Sequence, residues 1–480
     1  MTCTAFSSTA KAILTLFFVL FLIFGFSVYS SSANQASLVK DIVPGLDGSD
    51  PDHLTAAANN VFFSINNRDT RQYELWVSDG TNNGTKALKN NLTDSGWAFQ
   101  SQHLSASGKI LYFRGYDDES GFELWRSNGT PDGTFMIKDI YPGSFSSHPN
   151  QFTVVNDTVF FSADNGNPSF PSTTKLWITD GTEGGTQIVK NFQSGYIYNL
   201  TAVGDTLFFL VADGHSGNKL WKSDGTEDGT VLVSDIDFYS SRCGPSEFTN
   251  VAGTLYFVAD DRITGNELWT SDGTQEGTRL VKDIYPGSED SCPTALTSIE
   301  GNIFFSADNQ SARYMLWKSD GTEQGTYLVH SSASLFLAAL ANDLYFLNYG
   351  TSKGPELWRS DGTPEGTAGV TGIGSDISIS GMINLQPVKD KLFFTADDDV
   401  HGEELWGYSG SESAAHLIAD INPGRSDSKI RNFTNVNGKV FFTADDGDHG
   451  KELWVLSPSK SESNFYIIRT KDNKIISIIL

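Results

Sequence analysis

An all-β repeat protein is what the sequence predicts, and three observations predict it. Nine tryptophans (Trp76, Trp125, Trp177, Trp221, Trp269, Trp317, Trp358, Trp406 and Trp454) recur among similar neighbours about 47 residues apart, a spacing typical of radial arrays. The apolar runs that precede them, such as Leu207-Phe208-Phe209, Ile303-Phe304-Phe305 and Leu392-Phe393-Phe394, are continuous rather than alternating. A continuous run demands a sheet buried on both faces. The composition, 46 Gly and 33 Phe against 4 Met, favours strands and turns over helices. A sheet sandwiched between copies of itself meets these demands. The expected fold is therefore all-β, a single β-propeller of about nine four-stranded blades over residues 34–460.

Each unit reads as strands A to D. In the fifth, A is 247–251, B is 254–259, C is 267–271 and D is 279–284. Val251-Ala252-Gly253 and Val436-Asn437-Gly438 carry the chemistry of a tight A–B hairpin. Leu268 and Trp269 are adjacent in strand C and so face opposite sides of the sheet. At the ends, residues 37–45 match strand D (compare 279–287), whereas the last unit, 432–456, supplies only A, B and C. Leu38 to Ile42 is expected to complete that last blade and leave no free edge. Phe465 to Arg469 competes for the same place.

Seven copies run from strand C into a turn, as in Glu267-Leu268-Trp269-Thr270-Ser271-Asp272-Gly273-Thr274-Gln275-Glu276-Gly277-Thr278. On these residues the chain resembles the ELWxxDGT repeat family over nearly all of 37–456. The resemblance implies a secreted, propeller-like repeat protein and no settled activity. The C–D turn is also similar to the Asp-box hairpins of sialidase-type propellers. Its residues have a structural reading: Asp accepts turn amides, Gly takes positive φ, and Thr caps. The copies at Trp406 and Trp454 lose this turn.

Residues 1–33 read as a signal peptide: Lys11 precedes an apolar run from Ile13 to Val28, then Ser31-Ser32-Ala33. The expectation is a secreted protein without a membrane span after cleavage. An uncleaved signal anchor that tethers it is the alternative. Residues 461–480 read as a C-terminal tail.

The net charge of −25, from 33 Lys and Arg against 58 Asp and Glu, makes nucleic acid and anionic membranes poor partners. Cations, basic partners and neutral sugars remain. B–C loops open with aspartates, and Asp397, Asp399, Asp445 and Asp448 are the candidate calcium ligands, because calcium favours clustered carboxylates on flexible loops. The competing reading is a solvated turn whose first Asp accepts backbone amides. No other cofactor is expected. No catalytic residues stand out: the eight His are scattered without metal-ligand pairs, and no nucleophile elbow appears. Arg68, Arg71 and Arg114 read as local ion-pair formers. Cys243 and Cys292 fall at equivalent places in consecutive D–A loops. They are expected to form a disulfide bond, with two free thiols as the alternative. Asn91, Asn156, Asn199, Asn309 and Asn432 open sequons, as do Asn83 and Asn128 within the repeat turn.

These readings make the protein an exported, acidic, non-catalytic binding or adhesion scaffold. Its extracellular carbohydrate or protein ligand is expected on the face carrying the variable B–C and D–A loops. The runner-up is a carbohydrate-active enzyme, glycosidase-like, with carboxylates at the channel mouth. A purely structural extracellular protein is third.

Overall fold

The computed structural model describes residues 28–30, 36–68, 72–89, 104–166, 174–192, 195–212, 217–236, 238–239, 243, 246–350, 355–370, 385–410, 412, 414–457, 465–469 and 475–479. The signal-peptide residues up to 27, Asn91 and Arg71 lie outside them. The chain forms two compact units, one of 36–456 and one of 1–35 with 457–480. In the second, Val28–Ser30 pairs antiparallel with Phe465–Arg469, which pairs in turn with Ile475–Ile479. The segments read as signal peptide and tail thus contribute three strands of one sheet. Among the described residues no helix is long and apolar enough to cross a membrane.

The unit 36–456 is a β-propeller built from seven four-stranded antiparallel sheets and one seven-stranded sheet. The fifth repeat is representative: Ser246–Val251, Thr254–Asp260, Asn266–Ser271 and Arg279–Lys282 pair in that order. Strand D stops short of the expected Ile284 because the Ile284 amide donates to the buried carboxylate of Glu267 instead. The seven-stranded sheet spans two repeats. Its long strand Tyr327–Leu340 pairs with Met315–Ser319 through its first part and with Asp343–Asn348 through its second. One strand therefore serves as D of one repeat and A of the next.

Packing between sheets explains the Leu-Trp pair of strand C. Each Leu faces the Trp of the following repeat: Leu75 clusters with Trp125, Leu124 with Trp177, and Leu268 with Trp317. Leu453 of the last repeat clusters in the same way with Trp76 of the first. Strand B lies between two such interfaces. Its residues Leu255 to Ala259 are at most 4 % exposed, as a run buried on both faces requires.

The two ends of this unit meet through the same contacts that join interior repeats. Ala36–Lys40 pairs antiparallel with Lys451–Leu456, with Leu38 opposite Trp454. Strand D lysines brace the next repeat's turn: Lys138 Nζ donates to Thr186 O at 3.0 Å and Lys282 Nζ to Thr326 O at 3.1 Å. Lys40 Nζ does so to Thr85 O at 2.9 Å. Phe465–Arg469 takes no part in this sheet.

A truncated chain beginning at Gly48 lacks the Ala36–Lys40 strand and exposes the edge of Lys451–Leu456. We expect it to aggregate or to lose single-step thermal unfolding. Calorimetry showing the full-length transition unchanged would refute a role for this strand.

Candidate functional site

Antiparallel strand order places the A–B and C–D turns on one side of the propeller and the B–C and D–A loops on the other. On the turn side, the fifth repeat is representative. Asp272 Oδ1 accepts the amide and hydroxyl of Thr274 at 2.9 and 2.7 Å, and Thr274 Oγ1 accepts the Gly277 amide. Gly273 has φ +86°, and a Cβ on Gly277 would sit 1.9 Å from Asp272 Oδ1. Only glycine fits there, because the carboxylate folds over it. The Gly273 carbonyl accepts Lys222 Nζ from the preceding repeat at 2.9 Å. The polar groups of the turn are thus engaged within it or with its neighbour.

The loop side is organised by a glutamate that the sequence reading passed over. Glu123, Glu267, Glu404 and Glu452, each two residues before a repeat Trp, are all 0 % exposed. Each accepts hydrogen bonds from its D–A loop. Glu267 takes the amides of Ile284 and Tyr285, both at 3.1 Å, and the Ser291 hydroxyl at 2.6 Å. Glu123 takes Ile140, Tyr141 and both Ser147 groups. Glu404 takes Ile421 and Asn422. The loop serine then reaches the next repeat: Ser147 O accepts the Asp164 amide at 2.9 Å, and Ser291 O the Asp308 amide at 2.7 Å. Glu452 finds the same partners, Val43 N and Ser49 N, at the opposite end of the chain. A signal was present: Pro-Gly follows strand D in these four cases (Pro44, Pro142, Pro286 and Pro423).

The B–C aspartates behave as turn-formers. Asp397 Oδ1 accepts the Asp399 amide at 2.8 Å. Asp445 Oδ1 accepts Gly447 N at 3.0 Å, and its Oδ2 pairs with Lys429 at 2.9 Å. The second aspartate of each loop caps it: Asp398 and Asp446 each accept two amides and bind His401 or His449 Nδ1 at 2.8 Å. These bonds raise the pKa of both histidines. Asp397, Asp399, Asp445 and Asp448 are not gathered into one cluster. Among the described residues, three metal-capable side chains converge only at Cys243, Asp290 and Cys292, where the two sulfurs are already joined. That disulfide, with Cα atoms 5.5 Å apart and a sequence separation of 49, is worth about 4 kcal/mol in the chain-entropy account.

The remaining expected residues fall in distinct settings. Arg68 pairs with Asp47 at 3.4 Å, whereas Arg114 is 8 % exposed with its guanidinium 5.3 Å from the Phe122 ring centroid. Asn156 lies in an exposed A–B turn, and Asn309 in a B–C turn that its own Oδ1 closes. Asn199 and Asn432 sit within strand A at bulges, with φ of 56° and 61°. Thr201 and Thr434, the third sequon residues, donate back to those asparagine carbonyls.

Exposed apolar residues distinguish the two sides. Val43, Leu46, Phe145, Ile263, Tyr314, Tyr349 and Val400 lie in B–C or D–A loops, and Tyr196 lies where strand A leaves one. The other large exposed apolar residues, Phe135, Ile188, Val231, Leu232 and Tyr327, belong to the outermost strand D. Among the described residues, none occupies an A–B or C–D turn.

No family model matches the chain, and no curated protein matches it. Among solved structures it is similar to a puromycin hydrolase (TM-score 0.43, 12 % identity, 87 % of this chain and 61 % of that one). It is also similar to Oligopeptidase B from Leishmania major (0.42, 8 %, 83 % and 53 %). A third is the β-propeller domain of the Trilobed protease from Pyrococcus furiosus, described as an open velcro topology (0.36, 14 %, 68 % and 98 %). The chain spans 61 % and 53 % of the length of the first two.

Burial pushes the carboxyls of Glu123, Glu267 and Glu404 up to about 7, against the hydrogen bonds they accept. Their folded values exceed the unfolded 4.5, so the native state holds these protons more tightly. The stability they contribute is complete below about 4.5 and is lost as pH rises through about 7. Changing all three to Gln should flatten the dependence of melting temperature on pH between 5 and 8. Glu267→Ala leaves three donors without their acceptor and should cost on the order of 3 kcal/mol. Denaturant unfolding at fixed pH measures it, and a loss under 1 kcal/mol would show that the carboxylate does not hold the loop.

The calcium question has its own test. Because Asp397 and Asp445 already accept loop amides, millimolar calcium should not raise the melting temperature above a control matched in ionic strength. A rise abolished by changing Asp445 and Asp448 to Asn would restore the metal reading.

Proposed function

We propose that residues 36–456 close into a ring of nine blades and act as an exported, non-catalytic binding or adhesion scaffold. Its carbohydrate or protein ligand meets the B–C/D–A face. The observation that carries this reading is the one-sided placement of exposed apolar residues, since apolar groups left in water on variable loops mark interaction surfaces. The pairing of Ala36–Lys40 beside Trp454 and the Leu453–Trp76 cluster support ring closure. The disulfide and the apolar segment within residues 1–33 support export. A glycosidase needs an accessible general acid, and the carboxyls raised to about 7 are 0 % exposed.

The intact protein should be applied to a glycan array and a panel of immobilised extracellular proteins, with aryl-glycoside hydrolysis measured in parallel. The reading expects retention of a ligand without turnover. Retention should fall at least tenfold when Phe145 and Tyr196 are both changed to Ser, with melting unchanged. Turnover that is lost on changing a loop-side Asp to Asn would replace the scaffold with the glycosidase. Retention through the turn side would overturn the choice of face.

A further inference from the structure

The loop side narrows the ligand further, given that it is the binding face. Its four most exposed apolar residues are Leu46 at 75 %, Ile263 at 72 %, Phe145 at 59 % and Val400 at 58 %. Three of these are aliphatic. The side also exposes aromatic rings (Phe145, Tyr196, Tyr314 and Tyr349), but its Leu46, Ile263 and Val400 tips cannot stack on a sugar ring and fit shallow apolar hollows on a protein.

Carboxylates neighbour the three aliphatic tips in sequence. Leu46 is followed by Asp47, Ile263 is preceded by Asp260 and Asp261, and Val400 by Asp397, Asp398 and Asp399. Among the described residues, four cations near these loops are paired with carboxylates: Arg68 with Asp47, Lys451 with Asp50, Lys429 with Asp445 and Arg313 with Asp308. Arg262 lies 3.5 Å from the Tyr239 ring centroid. The side therefore presents apolar points in a negative field on a chain of net charge −25. A second copy of this chain would bring the same charge and be repelled.

From the aliphatic tips and the field around them, we infer that the B–C/D–A face takes a basic protein surface, with apolar hollows set among lysines and arginines. Apolar tips supply contact area, and the neighbouring carboxylates steer the approach and select against acidic partners.

The test pans a phage-displayed library of random twelve-residue peptides against the intact protein at 0.15 M NaCl. Enriched peptides should carry net positive charge together with apolar residues. Their affinity should fall at least tenfold between 0.05 and 0.5 M NaCl. It should also fall at least tenfold for the variant carrying Leu46→Ser, Ile263→Ser and Val400→Ser, all exposed sites whose change leaves melting unaffected. Neutral or acidic peptides that still depend on those three residues would overturn the partner class and leave the face intact. Peptides indifferent to the triple variant, or no enrichment above a blank surface, would overturn both. Sedimentation showing a dimer that the triple variant dissolves would assign the face to a second copy instead.

Discussion

A buried carboxylate must be hydrogen-bonded, and this requirement governs the loop side of the propeller. Among the described residues, the strand C glutamate two residues before the repeat Trp meets one of two sets of donors. In the first and seventh repeats it turns to its own Trp: Trp76 Nε1 donates to Glu74 at 2.9 Å and Trp358 Nε1 to Glu356 at 3.3 Å. In the second, fifth, eighth and ninth it turns to the D–A loop, and the Nε1 atoms of Trp125, Trp269, Trp406 and Trp454 are left without a hydrogen-bond partner. In these four repeats the loop gains a fixed path, and the indole N–H stays unpartnered, as it does at Trp317 where the position is Met315.

The same contact links the ends of the chain. Glu267 and Ser291 are 24 residues apart, while Glu452 and Ser49 are 403 apart, yet both pairs make one kind of bond. Ala36–Lys40 supplies the strand that the last repeat, 432–456, lacks. Leu453 against Trp76 and Lys40 against Thr85 O follow the pattern of interior repeats. The contacts between first and last repeats therefore need no chemistry of their own.

The parts legible in the sequence are those that repeat. Strands, the tight turns and the role of the Leu-Trp pair follow from periodicity, since a face buried nine times leaves nine copies of its pattern. The glutamate anchor was readable only by comparing repeats, since Pro-Gly follows strand D in the four whose glutamate is bound to the loop and not in the others. Sequence alone left Asp397 and Asp445 open between a cation site and a turn whose first Asp accepts backbone amides. A carboxylate able to bind a cation and one occupied by its own loop's amides have the same letter in the same place. Strand A bulges at Asn199 and Asn432 escaped for a related reason, because the left-handed residue at that place is His53, Gln151, Glu247 or Ala295 in other repeats and shares no residue type. Thr434 Oγ1 also donates to Leu54 O of the first repeat at 3.2 Å. The exposed tips were invisible because exposure in a loop has no period.

One strand C position thereby sets how far each loop can vary. Where it is Glu123, Glu267, Glu404 or Glu452, the following D–A loop is drawn under the sheet end and ordered through Ser147, Ser291, Ser428 or Ser49. Where it is Met315, no carboxylate captures a loop, and Tyr327–Leu340 runs straight from one repeat into the next. Where it is Lys219, the side chain reaches outward to Asp235 O at 2.9 Å. The scaffold beneath is the same in all three cases, because Leu220, Leu268 and Leu316 are each 0 % exposed. A rigid interface position followed by a permissive neighbour one residue earlier lets loops diversify without disturbing the packing. Variation of this kind falls on the side that carries the exposed apolar residues, and the turn side, whose polar groups are already paired, has no comparable freedom.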